Sequence, residues 1–425
     1  MKHWLRQNKT YPYVISTFLG LVAVIFIFQF RHLNHLYEYG WIGSQDFIEY
    51  WSAGQLLIAG ANPYDFDALY ALQQTVGYTN ADPMIMWNPP WLLVWIFPIF
   101  FLPFPEAAVS WLIVSIVLVL FSGILVWRTV SPKRLQEKVM IPAIATITFL
   151  PLLFALALGQ MSTLMVFGVA GFMYFMNDHK PFLAGLFLSL TMVKPHVVYL
   201  LWIAVFFWII TQRDWRLTSG ICVMMIFSVA VLWIVLPDWL SFYYGALKIP
   251  PLYWTTPTAG TYLRLLFFRN WTQAHFVPTI VTGLLLAGYL VTKRPVLKWV
   301  NAVPPLLLVS LPTAPYGWSF DQIILLIPYL CVIAIIFGDK FRSDGYYRWL
   351  LVLGLVIVEL GILMQRIYTV DINHWFYEYM KLHYADGLQR YLRISHEAFY
   401  FWVPCALCIV YLLAYSRNKR SSLSG

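Results

Sequence analysis

Apolar runs of about 16 to 21 residues recur from one end of the sequence to the other, each near the length that a bilayer core of about 30 Å demands. Such a chain has few folds open to it, because backbone polar groups in lipid have to be satisfied within helices or a closed barrel. The alternating strands of an outer-membrane barrel are missing. The expectation is an all-α, polytopic transmembrane helical bundle. Hydrophobic residues make up 60% of the 425 and charged residues 11%, outside the range of soluble domains. Aromatic residues, at 18%, exceed what interfacial belts alone need. They fit either sugar-binding or lipid-lined grooves or ordinary packing between spans.

The net charge of +9 follows topology. Lys and Arg cluster in short segments at 128–138, 177–180, 212–216, 293–298 and 338–348, and near both ends, all expected to face the cytoplasm. No basic, aromatic-interleaved patch points to nucleic acid. The apolar run reaching Phe30 lacks a small-x-small cleavage site and reads as a retained first span. About thirteen apolar segments then conflict with two cytoplasmic ends, which need an even number of crossings. The segment Trp87–Phe101, broken by Pro89, Pro90 and Pro98, is the one expected not to cross. The result is about twelve spans in one integral membrane domain over 1–425. A first outer loop covers 31–86 and a large outer loop covers 237–276. No paired broken helices suggest the inverted repeats of a transporter. Cys222, Cys331, Cys405 and Cys408 lie in apolar runs and indicate neither a disulfide framework nor a zinc site.

Acids are scarce, 19 in all, and the first place they gather is Tyr37–Asp67. Asp46 and Glu49 share one face of a helix three residues apart. Gly60 reads as its stop and Asn62-Pro63-Tyr64-Asp65 as a turn, with Asp65 and Asp67 as turn formers. The expectation is a short, water-facing helix on the membrane surface. Three other polar sites fall on the same outer side: Gly159-Gln160, Lys194-Pro195-His196, and Asp321 after Pro315-Tyr316-Gly317-Trp318. Glu359 lies mid-span, where it is costly unless paired or neutral. A structural hydrogen bond and a functional role fit it equally.

The ordered set resembles glycosyltransferase family 87, the polyprenyl-phosphate-mannose-dependent mannosyltransferases of the GT-C superfamily. Asp46, Tyr50 and Ala53 carry the resemblance, with Gly60, Asn62, Pro63, Tyr64 and Asp65. Asn88-Pro89-Pro90, Gly159-Gln160, Lys194-Pro195 and the Pro315…Asp321 stretch complete it. The resemblance implies a GT-C fold in a bacterial plasma membrane, with the active site on the outer face. It implies a sugar, mannose first, on a polyprenyl phosphate whose tail lies in the bilayer. The acceptor is a hydroxyl of a glycolipid, glycan or protein, and transfer inverts the anomeric centre. No cofactor or metal is implied.

A hydroxyl is a weak nucleophile, so a carboxylate has to take its proton, a contribution of about 10²–10⁴ in rate. Asp46 matches the family's first-loop acid and is the expected base; a plain helix cap is its other reading. Substrate binding falls to Glu49, Gln160, Lys194, His196, Arg264, Arg269 and Asp321. Lys194 fits either a phosphate clamp or interfacial snorkelling. Gln160 fits sugar binding or a hairpin cap, and Asp321 acceptor orientation, a cation partner or a helix cap. Two other functions share this architecture. One is a multi-pass transporter or flippase; the other is an envelope polysaccharide polymerase or ligase using a lipid diphosphate.

Overall fold

The structure, a computed structural model, describes residues 45–248, 254–268, 271–338, 345–367 and 401–416. Among them every regular element is helical. The helices are α1 (Phe47–Ile58), α2 (Phe66–Thr75), α3 (Trp91–Trp95), α4 (Phe104–Val130), α5 (Lys133–Gln136), α6 (Met140–Thr148) and α7 (Leu150–Leu158). There follow α8 (Ser162–Asn177), α9 (Pro181–Ser189), α10 (Tyr199–Gln212), α11 (Trp215–Val235), α12 (Trp239–Leu247) and α13 (Ala259–Phe267). The last five are α14 (Val277–Lys293), α15 (Trp299–Thr313), α16 (Leu326–Ile336), α17 (Gly345–Ile367) and α18 (Phe401–Ser416).

Four apolar helical stretches are long enough to cross a bilayer: α4, α11, Thr272–Lys293 and Ser319–Ile336. The last two are α14 and α16, each with a 3₁₀ lead-in. A fifth crossing results if α6 and α7, bent by 67° where they meet, count as one. The described residues therefore hold fewer full-length spans than the about twelve expected, because several of their apolar helices are shorter than a straight crossing needs. Ser162–Asn177, Pro181–Val193, Tyr199–Gln212 and Trp299–Thr313 are of this kind. Hydropathy registers an apolar run but not a break inside it. Trp87–Phe101 contains only the five-residue α3 and a 3₁₀ turn, too short to cross. The expected first span lies outside the described residues, as does most of the outer segment before α18.

α4 shows how the sequence sets an element. Pro103 precedes it, Pro105 occupies its first turn, and it ends at Ser131, which is extended before Pro132. It packs on α8, while α9 packs on α11 at a glycine pair. A Cβ on Gly220 would stand 2.1 Å from the Phe182 carbonyl, and one on Gly185 2.3 Å from that of Leu217. Small residues let apolar helices approach this closely. Ser319–Ile336 is the most enclosed of the long stretches, whereas α11 and α14 face outward. Ile234 is 81% exposed and Leu284 68%, as lipid-facing residues are.

α1 is not the water-facing surface helix expected from its two acids. Phe47, Ile48, Tyr50, Trp51 and Ala53 are all buried. The Phe47 ring stacks on Phe104 and Trp111 at 6.4 Å each, and Trp51 meets Phe104 edge-on at 5.4 Å. Each such side chain contributes about 1.5–3 kcal/mol on burial, which draws the helix into the protein. The helix does stop where expected, with Gly60 left-handed at φ 67°. The turn after it closes from Asp65 N–H to the Asn62 carbonyl at 3.2 Å.

Candidate active site

Asp46 stands at the mouth of α1 but does not cap it. Its backbone is already helical and its side chain accepts no bond from the helix amides. Its N–H instead donates to the Leu158 carbonyl at 2.8 Å, tying it to the end of α7. That helix ends on Gly159, left-handed at φ 71°, a conformation glycine adopts without strain. The turn delivers Gln160 next to Asp46, and Trp111 Nε1 holds it by donating to the Gly159 carbonyl at 3.0 Å.

The Gln160 amide is oriented by its neighbours. Its Oε1 accepts from Lys194 Nζ at 3.0 Å and from the Tyr50 hydroxyl at 3.1 Å. An ammonium can only donate, so the oxygen has to face it. The NH₂ group is thereby turned to Asp46 and donates to Oδ2 at 2.6 Å. Lys194 also donates to Asp321 Oδ1 at 2.8 Å and to Ser162 Oγ at 3.3 Å, and lies 4.4 Å above the Phe320 ring. All three of its N–H bonds point into the protein, so snorkelling is excluded.

Asp321 is buried and both of its oxygens are engaged. Oδ1 takes Lys194 and the Ser162 hydroxyl, the latter at 2.5 Å, while Oδ2 accepts the Trp318 N–H at 3.0 Å. It is thus a cation partner and a helix cap at once. One network therefore links four distant segments, at residues 46–50, 160–162, 194 and 318–321.

Burial pushes the Asp46 carboxyl up to about 6; the Gln160 hydrogen bond and the Lys194 charge oppose this, and Asp321 adds to it. Burial, helped by the Asp46 charge, pushes Glu49 up to about 8. At neutral pH Asp46 is mostly ionised and Glu49 mostly protonated. Tyr50 is raised well above the usual phenol by burial and stays a donor. Burial holds the His196 imidazole down at about 4, with Asp321 raising it and Lys194 lowering it, so it is neutral.

The remaining expected residues divide. Glu49 follows Asp46 on α1 and His196 feels the charges of the network. Arg264 lies in α13, where its Nη2 donates to the Trp254 carbonyl at 3.0 Å and it is buried rather than solvated; the Trp254 ring in turn meets Trp318 at 5.5 Å. Arg269 lies outside the described residues. Asp65 caps α2 by accepting from Ala68 N–H at 2.9 Å. Among the described residues no three His, Cys, Asp or Glu side chains converge as metal ligands. Ser162 is the network member that sequence reading overlooked. Its one signal is its place two residues after Gln160, at the start of α8.

A membrane-embedded helical protein with an ordered polar centre at half-buried Asp46 is the class that these features define. The model of glycosyltransferase family 87 matches residues 87–311, more than half of the chain. The chain belongs to that family and is a membrane glycosyltransferase. The match includes Gln160, Ser162 and Lys194; the fold adds Asp46 and Asp321 from outside it. No curated protein matches the sequence. Among solved structures, apo ArnT from Cupriavidus metallidurans aligns over 95% of this chain and 78% of its own, at 12% identity and a TM-score of 0.41.

Proposed function

We propose that this enzyme moves a sugar, mannose first, from a polyprenyl phosphate to a hydroxyl acceptor, with inversion, on a GT-C scaffold. The acceptor is a glycolipid, glycan or protein hydroxyl, presented at the outer face of the plasma membrane, with both chain ends in the cytoplasm. The observation that carries the reading is the Asp46 carboxylate. Gln160 holds one of its oxygens, it keeps part of its surface accessible, and its pKa of about 6 sits just below neutral pH. A general base works best when its pKa lies near the operating pH.

In the proposed step the acceptor oxygen forms a bond to the anomeric carbon from the side opposite the lipid phosphate. Its proton passes to Asp46, and the bond from the anomeric carbon to the phosphate oxygen breaks with its electron pair. The leaving lipid phosphate needs a cation. Lys194 is the cation whose charge acts on Asp46. Its longest contact, to Ser162 at 3.3 Å, is the one a phosphate oxygen displaces. Neutral His196 supplies a hydrogen bond to phosphate or sugar, and protonated Glu49 an additional donor. Arg264 and Arg269 are assigned to gripping phosphate or acceptor. No metal is used, so EDTA leaves transfer intact.

The test incubates membranes with radiolabelled polyprenyl-phosphate mannose and identifies the labelled product. Asp46→Asn protein accumulates normally and its transfer falls by about 10²–10⁴. Product at the wild-type rate from that variant removes Asp46 as base. A product formed only from a lipid diphosphate assigns the polymerase or ligase reading instead. Tracer uptake by vesicles with no covalent product assigns the transporter.

A further inference from the structure

One carboxyl group outside the network is tied to it by geometry. Glu359 lies in α17, where a carboxyl is costly unless it is engaged. Its Oε2 accepts a hydrogen bond from Leu150 N–H at 3.0 Å. Leu150 is the first residue of α7, just past the 67° break from α6. The first amides of a helix have no partner inside it, and at membrane depth each unsatisfied amide costs several kcal/mol. Pro151 has no N–H to satisfy. Leu152 N–H reaches the Phe149 carbonyl at 3.0 Å. Leu150 is therefore the amide that needs an acceptor from elsewhere, and Glu359 provides it.

The other end of α7 is the active site. Nine residues at about 1.5 Å each make it a rod of about 13 Å. At its far end Leu158 accepts the Asp46 N–H and the Gly159 turn presents Gln160. At its near end the Phe149 ring packs on Tyr329 at 4.8 Å. A rod pinned by Glu359 at one end and by Asp46 at the other has little freedom to slide.

We infer that Glu359 is a positioning residue: by anchoring the start of α7 it fixes where Gln160 meets Asp46. The inference rests on the reading of Asp46 as base for its catalytic consequence, but not for its geometry. The groups coupled to Asp46 are Gln160, Lys194, Asp321, Glu49, Tyr50 and Tyr78, and of these Gln160 is the one that the end of α7 presents. Loss of the anchor weakens the bond that holds the carboxyl down.

The experiment follows the Asp46 carboxyl band by infrared titration, with Asp46→Asn as the blank, and measures kcat and KM for polyprenyl-phosphate mannose. In Glu359→Ala the titration midpoint rises above its wild-type value. There kcat falls about tenfold, the worth of one hydrogen bond, with KM within about twofold. Glu359→Gln keeps an oxygen facing Leu150 and behaves as wild type. Leu150→Pro removes the donor, leaves Glu359 in place and suits a first helical position; it reproduces the alanine result and replaces it if that protein does not fold. A midpoint unchanged in both Glu359→Ala and Leu150→Pro overturns the inference, even if they melt earlier. So does equal damage in Glu359→Gln and Glu359→Ala, which would assign the role to the acidic proton. The titration needs no substrate. A wild-type protein that transfers no sugar defeats the base assignment and leaves the positioning result to be read separately.

Discussion

Asp46 and Asp321 are aspartates in one network around one lysine, yet they are built for opposite tasks. Asp321 is buried, paired with Lys194 and Ser162, and uses its second oxygen to cap a 3₁₀ turn. Every change in its charge would leave Lys194 unpaired. Asp46 touches Lys194 only through Gln160, retains accessible surface, and titrates at about 6. On the proposed mechanism, two like groups placed in environments that differ this much divide into a structural charge and a working one. The contact with Lys194 is the difference: direct for Asp321, relayed through Gln160 for Asp46.

The largest effect should come from Asp46→Asn. Losing the base costs about 10²–10⁴ in kcat with little change in thermal stability, read from product formation and melting of the purified protein. Asp321→Asn should show the reverse signature. Removing one partner of a buried pair costs about 3–5 kcal/mol of stability, read as a lower melting temperature and poor accumulation. Adding Lys194→Met to it should recover part of that loss. An Asp321→Asn protein that is stable but inactive would erase the contrast between the two acids.

Gln160→Ala tests the relay. A hydrogen bond to a charged group is worth about 1.5–3 kcal/mol, so kcat/KM should fall about 10- to 100-fold. The acid limb of the pH–rate profile, near 6 in the wild type, should move to higher pH, because the Gln160 bond is what lowers the Asp46 pKa.

The smallest effect concerns Glu49. Its folded pKa of about 8 exceeds the ordinary 4.5, and that of Asp46, about 6, exceeds 3.8. The folded state therefore holds these protons longer than the unfolded state. Their stabilising contribution is complete at low pH and is lost as pH rises, through 4–6 for Asp46 and through 4.5–8 for Glu49. Glu49→Gln should change transfer at pH 7 by about 0.5 kcal/mol or less, since it replaces one neutral group by another. Its melting temperature should fall less than that of the wild type between pH 6 and 9.

Much of this centre was legible in the sequence, and for a physical reason. In an apolar chain an ionisable or amide side chain is costly, so Asp46, Gln160, Lys194 and Asp321 stand out singly. What a sequence does not display is the pairing among them, because Lys194 meets Asp321 across 127 residues and Asp46 meets Gln160 across 114. Ser162 escaped notice because a serine at the start of an apolar helix is commonplace. The placement of α1 was misread for a related reason. Two acids suggest water, but Phe47 and Trp51 on the same short helix outweigh them. The span count differs over the described residues because helices such as Ser162–Asn177 and Trp299–Thr313 are shorter than a straight crossing needs, and hydropathy does not fix helix length.

The Lys194–Asp321 ion pair has a consequence for how the protein is made. Synthesis delivers the lysine well over a hundred residues ahead of its counter-charge. Until Ser319–Ile336 enters the membrane, the nascent chain carries Lys194 without the carboxylate that pairs with it directly. The polar centre around Lys194 is therefore complete only once that late segment has arrived.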